Sequence, residues 1–179
     1  SKTKMQRVLF ILLTSAYCFS QQTIVELNKA PEYDFILDGI ISESEIDNAK
    51  MIDIVYEHEP GYNTAPSYET ITYLKYTDTY LYIGFRAYRD EVKADIHPRD
   101  NFSLFEDDFA NIHIDTYGDA RNNIGLTANL FGSQADGIRI DTNDWSMGTG
   151  SGWSLDANFD YQSLGRYTDF GYEVEFIIP

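Results

Sequence analysis

The chain has 179 residues, with 29 acidic against 13 basic side chains and a formal charge of -16. That length holds one domain with a real core, and a surface so acidic repels phosphate backbones, which argues against nucleic acid as a partner. Its 14 tyrosines and 11 phenylalanines lean toward β structure, because rings pack well on pleated surfaces.

Residues 1–20 read as an export signal. Lys2, Lys4 and Arg7 precede the apolar run Val8 to Leu13, and small or polar residues follow to Ser20. The run is too short to span a bilayer; a buried N-terminal strand is the alternative. Cys18, the single cysteine, lies in this segment. Tyr17 stands before it, where a lipid-anchor signal has a small residue. The remainder then has no thiol for a disulfide or for cysteine catalysis. The protein is expected to be exported, to the periplasm, the outer membrane or the cell surface.

Residues 21–34 form an extended lead-in, and 35–179 the domain proper. Phe35 to Gly39 reads as a short strand closing on an Asp-Gly turn. Ser42 to Lys50 holds one helical turn, with Ser42 as N-cap and Glu45 at capping-box spacing. Met51 to Tyr56 and Glu69 to Tyr76 are strands, and Thr77-Asp78-Thr79 turns the chain into Tyr80. From there Leu81, Ile83, Phe85 and Ala87 share one face, opposite Tyr80, Tyr82, Arg86 and Tyr88. Phe109 to Thr116 sends Ala110, Ile112 and Ile114 inward. Asn123 to Phe131 and Asp136 to Asp141 follow as a pair turned at Gly132-Ser133, with a weaker strand at Ser154 to Tyr161. Tyr172 to Ile178 sets Val174, Phe176 and Ile178 against Glu173 and Glu175. The pattern predicts an all-β, antiparallel β-sandwich, jelly-roll-like. Because the chain stops on Ile177-Ile178-Pro179, an apolar strand expected at an unpaired edge, the domain is predicted to be truncated at its C-terminal edge.

No residue set resembles a catalytic machine. His58, His97 and His113 share no zinc-ligand spacing, and no G-x-S-x-G is present. Acidic pairs abound, so their presence says nothing about glycosidase chemistry. As cation ligands the carboxylates offer more: Asp100, Asp107, Asp108 and Asp115 cluster at loop ends, with Asp119 and Asp136 beside them, a supply suited to a structural calcium. The competing reading is a solvated acidic rim, partly paired by Arg99 and Arg121. Trp145 and Trp153 flank a Gly/Ser/Thr-rich loop. They are either a stacking platform for a sugar ring or plugs for the open end of the sandwich.

Several short motifs in order resemble one family. They are Leu37-Asp38-Gly39-Ile40, Tyr80-Leu81-Tyr82-Ile83 with Asp90, Arg99-Asp100, Asp107-Asp108 and Ile114-Asp115-Thr116. Asn129, Gly132 and Asp136 follow, then Glu173-Val174-Glu175 and Ile178-Pro179. Together they look like the family 9 carbohydrate-binding module over Phe35 to Pro179. The likeness is closest to the branch at the N-terminus of exported Bacteroidetes-type proteins that carry an outer-membrane β-barrel. The resemblance implies a sandwich, calcium in some members and sugar binding in others. The sugar-binding members place a tryptophan where this chain has Phe105, a glutamate where it has Asn111 and an arginine where it has Thr127.

Two functions follow from these readings. One is a non-catalytic carbohydrate-binding module of a larger exported protein serving carbohydrate catabolism. It would hold an oligosaccharide or polysaccharide with Phe105, Asn111 and Tyr117 or Trp145. The other is an interaction cap packed on a downstream membrane β-barrel, with no sugar bound.

Overall fold

The computed structural model describes residues 25–31, 35–57, 62–116, 118, 122–139 and 153–179. The expected export signal and half of the lead-in lie outside the described residues. Two antiparallel sheets face each other. The first, of five strands, runs in the order β1-β2-β3-β9-β8, from β1 (Lys50–Asp53), β2 (Thr70–Tyr76), β3 (Leu81–Tyr88), β8 (Gln162–Thr168) and β9 (Gly171–Ile178). The second, of four, runs in chain order through β4 (Phe109–Ile114), β5 (Asn123–Asn129), β6 (Gln134–Arg139) and β7 (Trp153–Ser154). The chain therefore crosses between sheets after β3 and returns after β7.

Period-two alternation builds the core as expected. Ile83 and Ala87 of β3, Val174 and Phe176 of β9, and Ala110, Leu126 and Ala128 of the second sheet form one buried cluster. Tyr161 stacks on Phe176 within it, with ring centroids 6.0 Å apart. The Tyr161 hydroxyl donates to the Thr127 carbonyl at 2.8 Å and the Ala135 carbonyl at 3.3 Å. Burial, then the Asp136 charge, pushes that phenol above its ordinary range.

Four sequence expectations change. β9 is not an edge: Ile178 pairs with Leu81 of β3, and Ile177 with Gln162 of β8. Gln162–Thr168, unassigned from its pattern, forms β8, while the strand expected over Ser154–Tyr161 reduces to Trp153–Ser154. Phe35 to Leu37 joins no sheet, and the chain bends at Asp38-Gly39 as the turn predicts. This stretch begins a strap that crosses the outer face of the five-stranded sheet. Glu173 and Glu175, which alternation sets opposite Val174 and Phe176 on β9, are 2% and 0% exposed beneath that strap.

The helical turn α1 (Glu43–Ile46) is the one Ser42 predicts, with both arms of the capping box in place. Its Glu45 does double duty: Oε2 accepts from Ser42 N at 2.8 Å, and Oε1 accepts from Ile36 N at 2.9 Å. The local cap thus also fastens the strap.

Candidate functional site

On β4 the core takes Ala110, Ile112 and Ile114, so Phe109, Asn111 and His113 face outward. Register sets Asn111 level with Thr127 of β5, and Thr127 level with Ala135 of β6. A short 3-10 turn, Phe102–Glu106, leads into this face. Asn101 caps it by accepting from Ser103 N at 2.9 Å. Leu104 is 0% exposed and pins the turn down, which leaves Phe102 70% exposed and Phe105 half-buried.

The three rings form a row. Phe105 meets Phe109 edge-on at 5.4 Å, and Phe102 lies 6.3 Å from Phe105. One step along β4, Asn111 Oδ1 is buried with no hydrogen-bond donor among the described residues. A buried acceptor left unpaired costs on the order of 1–3 kcal/mol. Only a donor that displaced what covers this oxygen would remove that cost. Ring faces that accept C–H groups, beside an amide that accepts O–H, suit a polyol with one apolar face.

Of the sequence-predicted sugar residues, Phe105 and Asn111 come to the same face of the four-stranded sheet. Tyr117 and Trp145 lie outside the described residues, as does the Trp153 side chain. Phe102 and Phe109 both lie against the Phe105 ring, one tilted and one edge-on. Their spacing, Phe102-x-x-Phe105-x-x-x-Phe109, is legible in the sequence once the turn is known.

The proposed metal ligands are not brought to one centre. Asp107 and Asp108 precede β4 and Asp115 follows it, so roughly 20 Å of extended chain separates them. Among the described residues no three His, Cys, Asp or Glu side chains converge on a possible ion site. Protein donors hold each carboxylate instead. Asp107 Oδ2 accepts from Asp95 N at 3.0 Å, His97 Nε2 at 2.8 Å and Asn129 Nδ2 at 2.9 Å. Asp108 takes Arg89 and the amide of Lys93. Asp100 accepts from Asp136 N at 3.1 Å, and Asp115 from Gly118 N at 2.7 Å. Arg99 does pair with an aspartate, Asp136, but that partner is buried rather than on a solvated rim; Arg121 lies outside the described residues. As a set, Asp100, Asp107, Asp108 and Asp115 do not fit a shared calcium cage.

Asp107 and Asp100 pin the loop from Arg89 to Asp108 against the second sheet, through Asn129 and the Asp136 amide, while Asp108 ties the loop to itself. Burial pushes the Asp107 carboxyl up, but the Asp95 amide, Asn129 and His97 outweigh it and hold the group below the usual carboxylate range. A depressed folded pKa adds stability that is complete above the unfolded value and is lost as pH falls through the folded one. Asp107→Ala should therefore lower stability by about 2–3 kcal/mol at neutral pH. That deficit should narrow as pH falls below the ordinary carboxylate value of about 4, where the unfolded chain takes up a proton first. It should vanish once the folded carboxylate is protonated too. Urea midpoints for both proteins across the acid range test this.

The fold is thus a two-sheet sandwich with a ring-lined outer face. No family model matches the chain, and no curated protein matches it by sequence. Two solved structures do share its architecture. One is a protein assigned as carbohydrate-binding from Bacteroides uniformis, with a TM-score of 0.62 and 11% identity, the match covering 86% of this chain and 71% of that one. The other is a family 9 carbohydrate-binding module from Caldicellulosiruptor kristjanssonii in complex with cellotriose. It has a TM-score of 0.55 and 15% identity, and the match covers 86% of this chain and 67% of that one. The chain has the fold of a family 9 carbohydrate-binding module.

Proposed function

We propose that this domain is a non-catalytic carbohydrate-binding module of a larger exported protein. On this reading it holds an oligosaccharide or polysaccharide against the outer face of the four-stranded sheet. The observation that carries the proposal is the row Phe102, Phe105, Phe109 running toward Asn111, whose buried Oδ1 has no donor among the described residues. The shared fold with a module bound to cellotriose supports the ligand class, although a fold carries a function only where the site comes with it. Asn111 and Thr127 stand where the family's sugar binders carry a charged pair. Recognition here therefore rests on ring stacking and neutral hydrogen bonds. Attachment to a glycan, delivering the larger protein to its substrate, is the role that links the domain to carbohydrate catabolism.

Glycan-array screening of the full chain, followed by calorimetry on the best ligand, tests the proposal. Phe105→Ala should weaken binding about ten- to hundredfold, the equivalent of about 1.5–3 kcal/mol of buried ring. Asn111→Ala should cost about fivefold, the worth of one neutral hydrogen bond. Phe131→Ala removes another exposed ring, the one edge-on to Tyr167, and should leave affinity unchanged. A folded protein that retains no glycan, or a Phe105→Ala variant that binds like the wild type, would sink the proposal.

A further inference from the structure

Among the described residues, the ring face leaves a ligand one direction to run. Across the sheet from Asn111 stand Thr127 of β5 and Ala135 of β6, in register. Both point away from the intersheet core, yet they are 3% and 1% exposed. The 3-10 turn Phe102–Glu106 packs on β6, and its Leu104 is fully buried. That closes the middle of the face to a chain crossing the strands. Along β4 the surface is different. β4 is the outermost strand of its sheet, and its outward residues run from half-buried Phe109 and Asn111 to exposed His113.

His113 is set as a contact at the far end of that line. Its Nδ1 lies 3.0 Å from Asn123 Oδ1, diagonally across on β5. An amide oxygen only accepts, so Nδ1 carries the proton and the neutral ring presents Nε2 as its acceptor. The bond fixes the plane of the imidazole, which leaves little rotamer freedom for a ligand to remove. Phe109 and His113 stand four residues apart, roughly 13 Å of strand at about 3.3 Å per residue. That span is longer than one pyranose ring.

We propose that a glycan lies lengthwise along β4, from the Phe105 and Phe109 rings past Asn111 to His113, so that the site selects chains of linked sugars over a single residue. This rests on the carbohydrate-binding reading above, and adds to it the direction of the chain and one further contact. At one end the phenyl rings take the C–H face of a sugar. At the other the imidazole takes a hydroxyl from a ring further along the chain. A lone sugar held by the phenyl rings does not reach His113.

Calorimetry on the full chain with cello-, xylo- and manno-oligosaccharides, from monosaccharide to hexasaccharide, tests this. In the series that binds, affinity should rise by at least about tenfold from the monosaccharide to the trisaccharide. His113→Ala should weaken the hexasaccharide about fivefold, the worth of one neutral hydrogen bond, and shift the monosaccharide by less than about twofold. His113→Gln, which keeps an acceptor, should recover part of the loss. His113 is exposed, so both variants should fold, and matching urea midpoints check that they do. In the wild type, the His113 ring proton resonances should move on adding the hexasaccharide and stay put with the monosaccharide. A monosaccharide bound as tightly as the hexasaccharide, a His113→Ala variant with wild-type hexasaccharide affinity, or unmoved His113 resonances would overturn the lengthwise placement while leaving carbohydrate binding itself standing. If none of the three series binds, the placement falls as well, and the glycan array decides separately whether the domain holds sugar at all.

Discussion

Alanine at Gly165 should cost the domain at least about 3 kcal/mol, the upper end of what overpacking a core exacts. Three backbones meet at this residue. A Cβ on Gly165 would lie 2.5 Å from the Glu173 carbonyl, 2.6 Å from Leu130 Cα and 3.0 Å from the Leu130 carbonyl. On the opposite face, a Cβ on Gly39 would lie 2.8 Å from the Gly165 carbonyl carbon. Leu130 belongs to the β5–β6 turn of the second sheet, so Gly165 is where that turn presses on β8 while the strap presses from outside. None of these neighbours is the free end of a side chain, so relief requires strands to move. Gly118 provides the contrast. It sits at φ +67° with nothing among the described residues within 4 Å of a built Cβ, so Gly118→Ala should cost only about 1–2 kcal/mol of left-handed strain. Urea midpoints of the two variants decide the matter; a Gly165→Ala protein as stable as Gly118→Ala would show that β8 moves away freely.

The same residue explains what the sequence conceals. β2, β3, β4 and β9 are legible because apolar residues alternate with polar ones, and two sheets packed together impose that period. In β8 the inward position at the sheet contact is a glycine, which has no hydropathy to register, so Gln162–Thr168 shows no alternation. Glu173 and Glu175 illustrate a second blind spot. Alternation assigns them correctly to the outer face, but it cannot say whether that face is covered. The cover is a segment more than 130 residues earlier in the chain, whose backbone satisfies the carboxylates one by one. That Asp100, Asp107, Asp108 and Asp115 do not converge has a related reason. Counting carboxylates does not separate a ligand from a fastener until the donors that occupy them, such as Asn129 and His97 at Asp107, are brought alongside by folding. Phe105 and Asn111 are legible only by family resemblance, because nothing in the spacing alone puts a ring and an amide on one face.

Glu173→Ala should be the other severe lesion, at about 3–5 kcal/mol, because breaking a buried ion pair strands the remaining charge. Arg86 Nε lies 2.7 Å from Glu173 Oε1, with side-chain exposures of 20% and 3%. Burial pulls the guanidinium's pKa down, but the Glu173 bond and charge outweigh it and raise the group above its ordinary value. Without Glu173 that compensation goes, and the Ile41 amide loses its acceptor as well. The guanidinium keeps its bond to Ile41 O at 3.1 Å and its place over the Tyr73 and Phe170 rings, 5.5 Å and 5.6 Å away. Those contacts hold the charge in position without neutralising it. Replacing both partners distinguishes a stranded charge from a lost contact. Glu173→Met with Arg86→Met removes both charges while keeping apolar volume, so it should recover much of the loss, leaving a deficit of about 1–2 kcal/mol from the Ile41 amide. If the double variant is instead as unstable as Glu173→Ala, the pair acts chiefly as the anchor of the strap, and its net charge balance contributes little.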